Sequence, residues 1–265
     1  MRILYLDPVG QASFVGEIAD SLAQVSRPDT QIDVISLQPD RPRHIEYHAY
    51  EALIIADLVR ITYALNKNYD AIVIGCFYDV GLREVREVSG KAVVTAPCQS
   101  TTAIASQLGN TFSVLVGRRK WIPKMSENVR LYGHDHAMVS MRPLEIGVLE
   151  FQQDHDYTCD RMIVEGRKAV EEDGAEVIIL GCTAEFGFHE TLQDELGVPV
   201  IDAILAPFKY AEMLGETAKQ FGWYPSRKWG SEAPPQDEID SWGLFHDDLP
   251  EIKTLVSAKA ERELA

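Results

Sequence analysis

Two short segments of this 265-residue chain repeat one another. Asp70-Ala-Ile-Val-Ile-Gly-Cys76 and Ala175-Glu-Val-Ile-Ile-Leu-Gly-Cys182 are each an apolar, β-branched run closed by Gly-Cys, and each follows a helix-like stretch. Runs of this kind form buried strands. The two cysteines are 106 residues apart, about the length of one α/β domain. The echo therefore predicts two similar lobes, each offering one thiol at the carboxyl end of a strand. In open α/β sheets that is the end where ligands bind.

The remaining pattern agrees. Strands are expected at Arg2–Leu6, Ile32–Leu37, Ala71–Gly75, Ala92–Thr95, Phe112–Val116, Ala137–Met141, Glu176–Leu180 and Pro199–Ile201. They read as continuous apolar runs, the mark of parallel strands covered on both faces. Helices are expected at Val15–Gln24, Tyr47–Leu65, Ser100–Leu108, Ile122–Tyr132, Arg161–Asp173 and Ala206–Phe221. In the second of these, Ala52, Ile55, Ala56 and Val59 follow the spacing of an apolar helix face. Alternation of strand and helix gives an α/β fold with two open, mostly parallel sheets flanked by helices. The expected organisation is a first lobe at 1–97 plus about 207–222, a second lobe at 98–206, and an extended C-terminal arm at 223–265. The arm is rich in proline, tryptophan and acids, reads as aromatic anchors for a neighbouring subunit, and closes with a short helix near Leu249–Leu264.

Composition excludes several classes. With a net charge of −16 the surface repels phosphate backbones and anionic lipids, so neither nucleic acid nor membrane is an expected partner. Asp7 and Pro8 interrupt the amino terminus too early for a signal peptide, and no apolar run is long enough to span a bilayer. A cytoplasmic protein is expected, in which Cys76, Cys98, Cys159 and Cys182 stay reduced. Dinucleotide and P-loop fingerprints are missing, as is the GxSxG elbow. His134-Asp-His136 and Asp154-His-Asp156 lack further ligands at metal-site spacing, so no metal is expected.

The residues left to carry chemistry cluster at predicted strand ends. A thiol where a strand gives way to a helix is favoured as thiolate by free amides and the helix dipole, which singles out Cys76 and Cys182. Phe77 and Tyr78 follow the first thiol. Thr183 and Glu185 follow the second, with capping of the next turn as their ordinary alternative. Asp7-Pro8-Val9-Gly10 closes the first strand and reads either as a plain turn or as a substrate loop. Thr95 and the hydroxyls of Ser100–Thr102 lie near the fourth strand's end, where they can meet a carboxylate or imide oxygen. Cys98 and Cys159 read as structural thiols, the latter in a polar loop.

These segments resemble the aspartate/glutamate/hydantoin racemase superfamily, closest to its hydantoin/allantoin branch. The likeness rests on Arg2–Pro8, His44–Glu46, Ala71–Gly81, Leu108–Val116, Ile122–Gly133, Val170–Cys182 and Leu196–Tyr210. It implies two α/β lobes with the active-site cleft between them, no cofactor, Cys76 and Cys182 as the catalytic pair, and a substrate loop at Asp7, Pro8 and Val9. Phe77, Tyr78, Thr95, Thr183 and Glu185 complete the expected binding set. The expected reaction is racemisation of a hydantoin-type small molecule by two-cysteine proton transfer, in a homo-oligomer. Racemisation of a free amino acid such as aspartate or glutamate, a cysteine-dependent isomerase or lyase reaction, and a two-lobed binding protein without chemistry remain open. The first loop departs from the branch's usual Asn-Pro-Asn, and Gly-Cys-Thr-Ala-Glu is nearer the amino-acid racemases.

Overall fold

A computed structural model describes residues 1–245 and 255–259. Along the chain come β1 (Arg2–Asp7), α1 (Val15–Val25), β2 (Gln31–Ser36), α2 (His48–Leu65), β3 (Ala71–Ile74), α3 (Leu82–Val88) and β4 (Val93–Thr95). Next follow α4 (Pro97–Leu108), β5 (Phe112–Val116), α5 (Ile122–Leu131), β6 (Met138–Pro143), α6 (His155–Glu171), β7 (Val177–Leu180), α7 (His189–Leu196), β8 (Val200–Ile201), α8 (Leu205–Phe221), α9 (Gln236–Trp242) and β9 (Leu255–Lys259). The first sheet runs β4-β3-β1-β2-β9 and the second β6-β5-β7-β8. All pairings are parallel except β2 with β9. Two mostly parallel sheets flanked by helices make this an α/β fold.

Leaving β9 aside, the sheets have the same order, with β3 and β7 in equivalent places. In each, the strand that opens the unit is paired on both sides, by β2 and β3 in one sheet and by β6 and β7 in the other. The chain therefore reverses its winding beside β1 and beside β5, and these switch points open at the carboxyl ends of the strands.

Backbone contacts divide the chain into two units. The first comprises Met1–Gly75, Val80–Thr95 and the described residues from Phe208 onward; the second comprises Cys76–Asp79 and Ala96–Pro207. Strands β1 to β4 of the first are almost wholly buried, with Tyr5, Leu6, Ile32 and Ile35 in its core. The second is built on Phe112, Val114, Ile178, Phe151 and Phe188. Cys76–Asp79 groups with the second unit because the rings of Phe77 and Tyr78 lie in that core.

Helix α2 buries a different face from the one its apolar spacing suggests. Ala52 and Ala56 are exposed, while Glu51, Ile54, Asp57, Leu58 and Ile61 are buried. Asp57 tolerates burial because Arg41 binds it through Nε and Nη2, and two charge-assisted hydrogen bonds offset part of the cost of desolvating the carboxylate. Leu255–Lys259, expected to be helical, is instead the antiparallel edge strand on β2, where Ser257 donates to Asp33. The remainder of the expected final helix lies outside the described residues. The expected arm does not stand apart: Arg227 donates to the carbonyls of Arg86 and Gly90 and to Ser89 Oγ.

Candidate active site

Gly75 and Gly181 sit in equivalent places for the same physical reason. Each donates its N–H to the neighbouring strand, Gly75 to Leu6 O at 2.7 Å and Gly181 to Leu115 O at 2.8 Å. A Cβ on Gly75 would lie 2.5 Å from the buried ring of Tyr5, and one on Gly181 would lie 2.4 Å from Leu115 O. Only glycine permits so close an approach. Both strands thus release the chain at the same point, and Cys76 and Cys182 are the first residues beyond it. Both thiols are half-buried and both pack on the core of the second unit.

Cys76 begins a tight turn in which Asp79 N donates to Cys76 O at 2.9 Å. Asp79 has φ 50°, in the left-handed region. Its buried carboxylate accepts from Cys98 N at 2.8 Å and Gln99 N at 2.9 Å, and so caps α4. Asn128 Nδ2 donates to Tyr78 O at 2.7 Å and holds the turn from α5. Sequence reading missed Asp79. The signal available was a helix opening at Ala96-Pro97 with no side-chain cap of its own, which calls for an acceptor from elsewhere.

Cys182 precedes a single 3-10 turn over Thr183–Glu185, and its Sγ accepts from Ala184 N at 3.4 Å. An amide aimed at sulfur favours thiolate. Gln152 Nε2 steadies the turn through Ala184 O and Phe186 O. Glu185 makes no capping box. Its carboxyl is fully buried and neither oxygen has a well-formed hydrogen bond. Burial drives its pKa well above the ordinary range; the amides of Cys182 and Gly181 oppose that, and the charge of Asp202 adds to it. Asp202 accepts from Ile204 N and Leu205 N at the start of α8.

Asp7 closes β1 and is buried, with burial raising its pKa to about 8. Its loop is tied to the segment after β2 by Leu37 N to Val9 O at 3.0 Å and Gly10 N to Pro42 O at 2.8 Å. Pro8 is buried and Val9 half-buried. The other expected site residues lie as follows. Phe77 and Tyr78 are core residues. Thr95 is buried at the end of β4. The hydroxyls of Thr101 and Thr102 donate to Pro97 O and Cys98 O within α4. Thr183 is half-buried beside Cys182. Cys98 is fully buried, and burial followed by the charge of Asp79 pushes its thiol up. Cys159 lies in α6, not in a loop, because Asp154 caps that helix by accepting from Tyr157 N. Among the described residues no group of three or more His, Cys, Asp or Glu is placed to hold a metal ion, and no helix is long and apolar enough to cross a membrane.

The profile of the Asp/Glu/Hydantoin racemase family matches residues 3–211. The chain belongs to that family. Among curated relatives, the hydantoin racemase of Pseudomonas sp. (strain NS671) is 34% identical over 221 residues, covering 83% of this chain and 88% of its own. The hydantoin racemase of Paenarthrobacter aurescens is 35% identical over 217 residues, covering 81% and 91%. Among solved structures, allantoin racemase from Klebsiella pneumoniae superposes with a TM-score of 0.80 at 23% identity, over 89% of this chain and 94% of its own. Glutamate racemase RacE1 from Bacillus anthracis gives 0.58 at 16% identity, over 83% and 82%, and shares the fold. As a member of the Asp/Glu/hydantoin racemase family, the protein is an isomerase, a racemase.

Proposed function

We propose that this racemase inverts a hydantoin-type carbon acid without a cofactor, with Cys76 and Cys182 serving opposite faces of the reacting carbon. One thiolate takes the α-proton and the other thiol returns a proton from the far side. The net change is inversion, and the two sulfurs end with their protonation states exchanged. The observation that carries this reading is the matched placement of the two thiols, each immediately beyond a glycine that the neighbouring strand requires. A free thiol has a pKa of about 8.5, so catalysis needs thiolate favoured locally; the Ala184 N–H that points at Cys182 Sγ is the kind of donor that serves this.

The carboxyls favour a neutral ring over a free amino acid. Asp7 and Glu185 are the acids nearest in sequence to the loop and the second thiol, and burial holds both toward the protonated form. A protonated acid cannot balance a substrate ammonium. It can donate a hydrogen bond, and Asp7 in that state suits a ring carbonyl that gains charge as the proton leaves. Thr183 supplies a second hydroxyl, with Pro8, Val9 and Thr95 completing the binding set. Curated relatives with more than 30% identity are named hydantoin racemases, which supports the same substrate class. Four free cysteines fit a reducing cytoplasm.

The test is solvent-deuterium exchange on separate enantiomers of a 5-substituted hydantoin, with aspartate and glutamate in parallel. Cys76→Ala and Cys182→Ala should each abolish racemisation, and each should still exchange deuterium into one enantiomer, with opposite preference. Equal loss of exchange on both enantiomers, or full racemisation by either variant, overturns the assignment. Turnover of aspartate or glutamate in place of the hydantoin overturns the substrate class.

A further inference from the structure

At the amino ends of β3 and β4, away from the Gly-Cys edge of the same sheet, the first unit carries a cavity of about 480 Å³. Three lysines line it, from three separate parts of the chain: Lys67 just after α2, Lys91 just before β4, and Lys219 in α8. Asp70 is the one carboxylate among the lining residues. It is already committed, accepting from Lys219 Nζ at 2.6 Å and from Arg2 N at 2.8 Å. Lys91 Nζ stands 5.2 Å above the ring of Tyr224, a cation–π contact that seats it. Lys67 has no ion-pair partner among the described residues. On a chain of net charge −16, this concentration of positive charge in a concave site is local and opposed to the overall field.

The walls are fixed. Tyr224 lies just beyond α8 in the segment that Arg227 ties to Arg86 O, Ser89 Oγ and Gly90 O. Asn66 Nδ2 donates to Val88 O at 2.8 Å and to Tyr63 O at 3.1 Å, joining the end of α2 to the end of α3. The backbone that carries the lysines is thus braced, and Lys91 is seated on Tyr224, so less order has to be imposed on binding than at an unbraced loop.

We propose that this cavity binds a small organic phosphate monoester, its dianionic head held by Lys67 and Lys91 and its organic part lying in the rest of the volume. Lysine is a compact charge suited to phosphoryl oxygens. The cavity is in the range of small-molecule sites, roughly 300–1,000 Å³, and larger than inorganic phosphate alone fills. This site is separate in sequence and place from the thiols, and the proposal does not depend on the racemase reading.

The experiment is calorimetric titration of the full-length protein at low ionic strength with phenyl phosphate, inorganic phosphate and succinate. Phenyl phosphate should bind saturably and tighter than either of the others. Its affinity should rise as pH passes the second phosphate pKa of about 6. The Lys67→Gln/Lys91→Gln double variant should bind about tenfold more weakly, the effect of losing two charges near a solvated site. Both lysines are exposed, so the variant should keep the wild-type melting temperature and racemase rate. Tyr224→Ala should weaken binding in the same direction by unseating Lys91. No saturable binding, equal binding of succinate, or unchanged affinity in the double variant each overturns the proposal.

Discussion

Asp79 accepts a hydrogen bond from the backbone N–H of Cys98 at 2.8 Å, and through that bond the turn carrying Cys76 is locked to the first turn of α4. The adjacent amide of Gln99 makes a second bond to the same carboxylate. Asp79 thereby fixes the backbone of the turn that begins at Cys76. Asp79→Ala should cost about 1–3 kcal/mol of stability in urea unfolding, the usual loss when a buried cap acceptor is removed. Racemisation should fall further in Asp79→Ala than in Asp79→Asn, because asparagine keeps an acceptor and tolerates the left-handed backbone. Equal activity in the two variants would show that the turn holds itself.

The glycines before the thiols should be intolerant of any side chain. Gly181→Ala places a methyl 2.4 Å from a backbone carbonyl that cannot swing away, and overpacking of this kind typically costs about 1–3 kcal/mol. Gly16→Ala is the control. That glycine is exposed in α1 with nothing within 4 Å of the added atom, and it should gain about 0.4–1 kcal/mol. Thermal unfolding of the two variants checks the contrast.

Asp7 makes stability fall as pH rises. Its folded-state pKa is about 8, raised by burial, against about 3.9 for an unfolded aspartate. The folded form therefore holds the proton over a window in which the unfolded form has released it. The resulting stability is complete below the unfolded pKa and is lost as pH climbs through the folded value. Asp7→Asn removes the titration, so its advantage over wild type should grow from about pH 5 to about pH 9. Denaturant unfolding across that range reads it. A wild-type advantage that instead grows with pH would mean that the carboxylate is charged and paired in the fold.

Thiol labelling should sort the four cysteines. Cys98 is fully buried and its thiol is pushed well up, while Cys159 is raised by partial burial and by Asp160, Asp156 and Glu195. Alkylation near neutral pH should modify Cys76 and Cys182 first, and Cys98 only after denaturation. Mass spectrometry of a time course checks the order, and early labelling of Cys98 would contradict its burial.

Much of this protein was legible along the chain. The eight expected strands are present. All but β6, which is only half-buried, are short apolar runs that must be covered on both faces, a requirement written in consecutive residues. The Gly-Cys echo likewise predicts the equivalence of β3 and β7. Periodicity misled at α2, where a buried Asp57 depends on Arg41, a partner outside the helix. It also failed at Leu255–Lys259, whose state follows from the open edge of β2 more than 200 residues earlier in the chain. Asp79 was invisible for the same reason, since its ligands are amides 19 and 20 residues on. The protonation of Asp7 and Glu185 turns on burial, and an acid in a sequence carries no mark of the dielectric around it. Local pattern thus determined the elements and the two thiols, because those depend on neighbours in the chain. Tertiary structure decided which carboxyls keep their protons and which hydroxyls are already used, because those depend on neighbours in space.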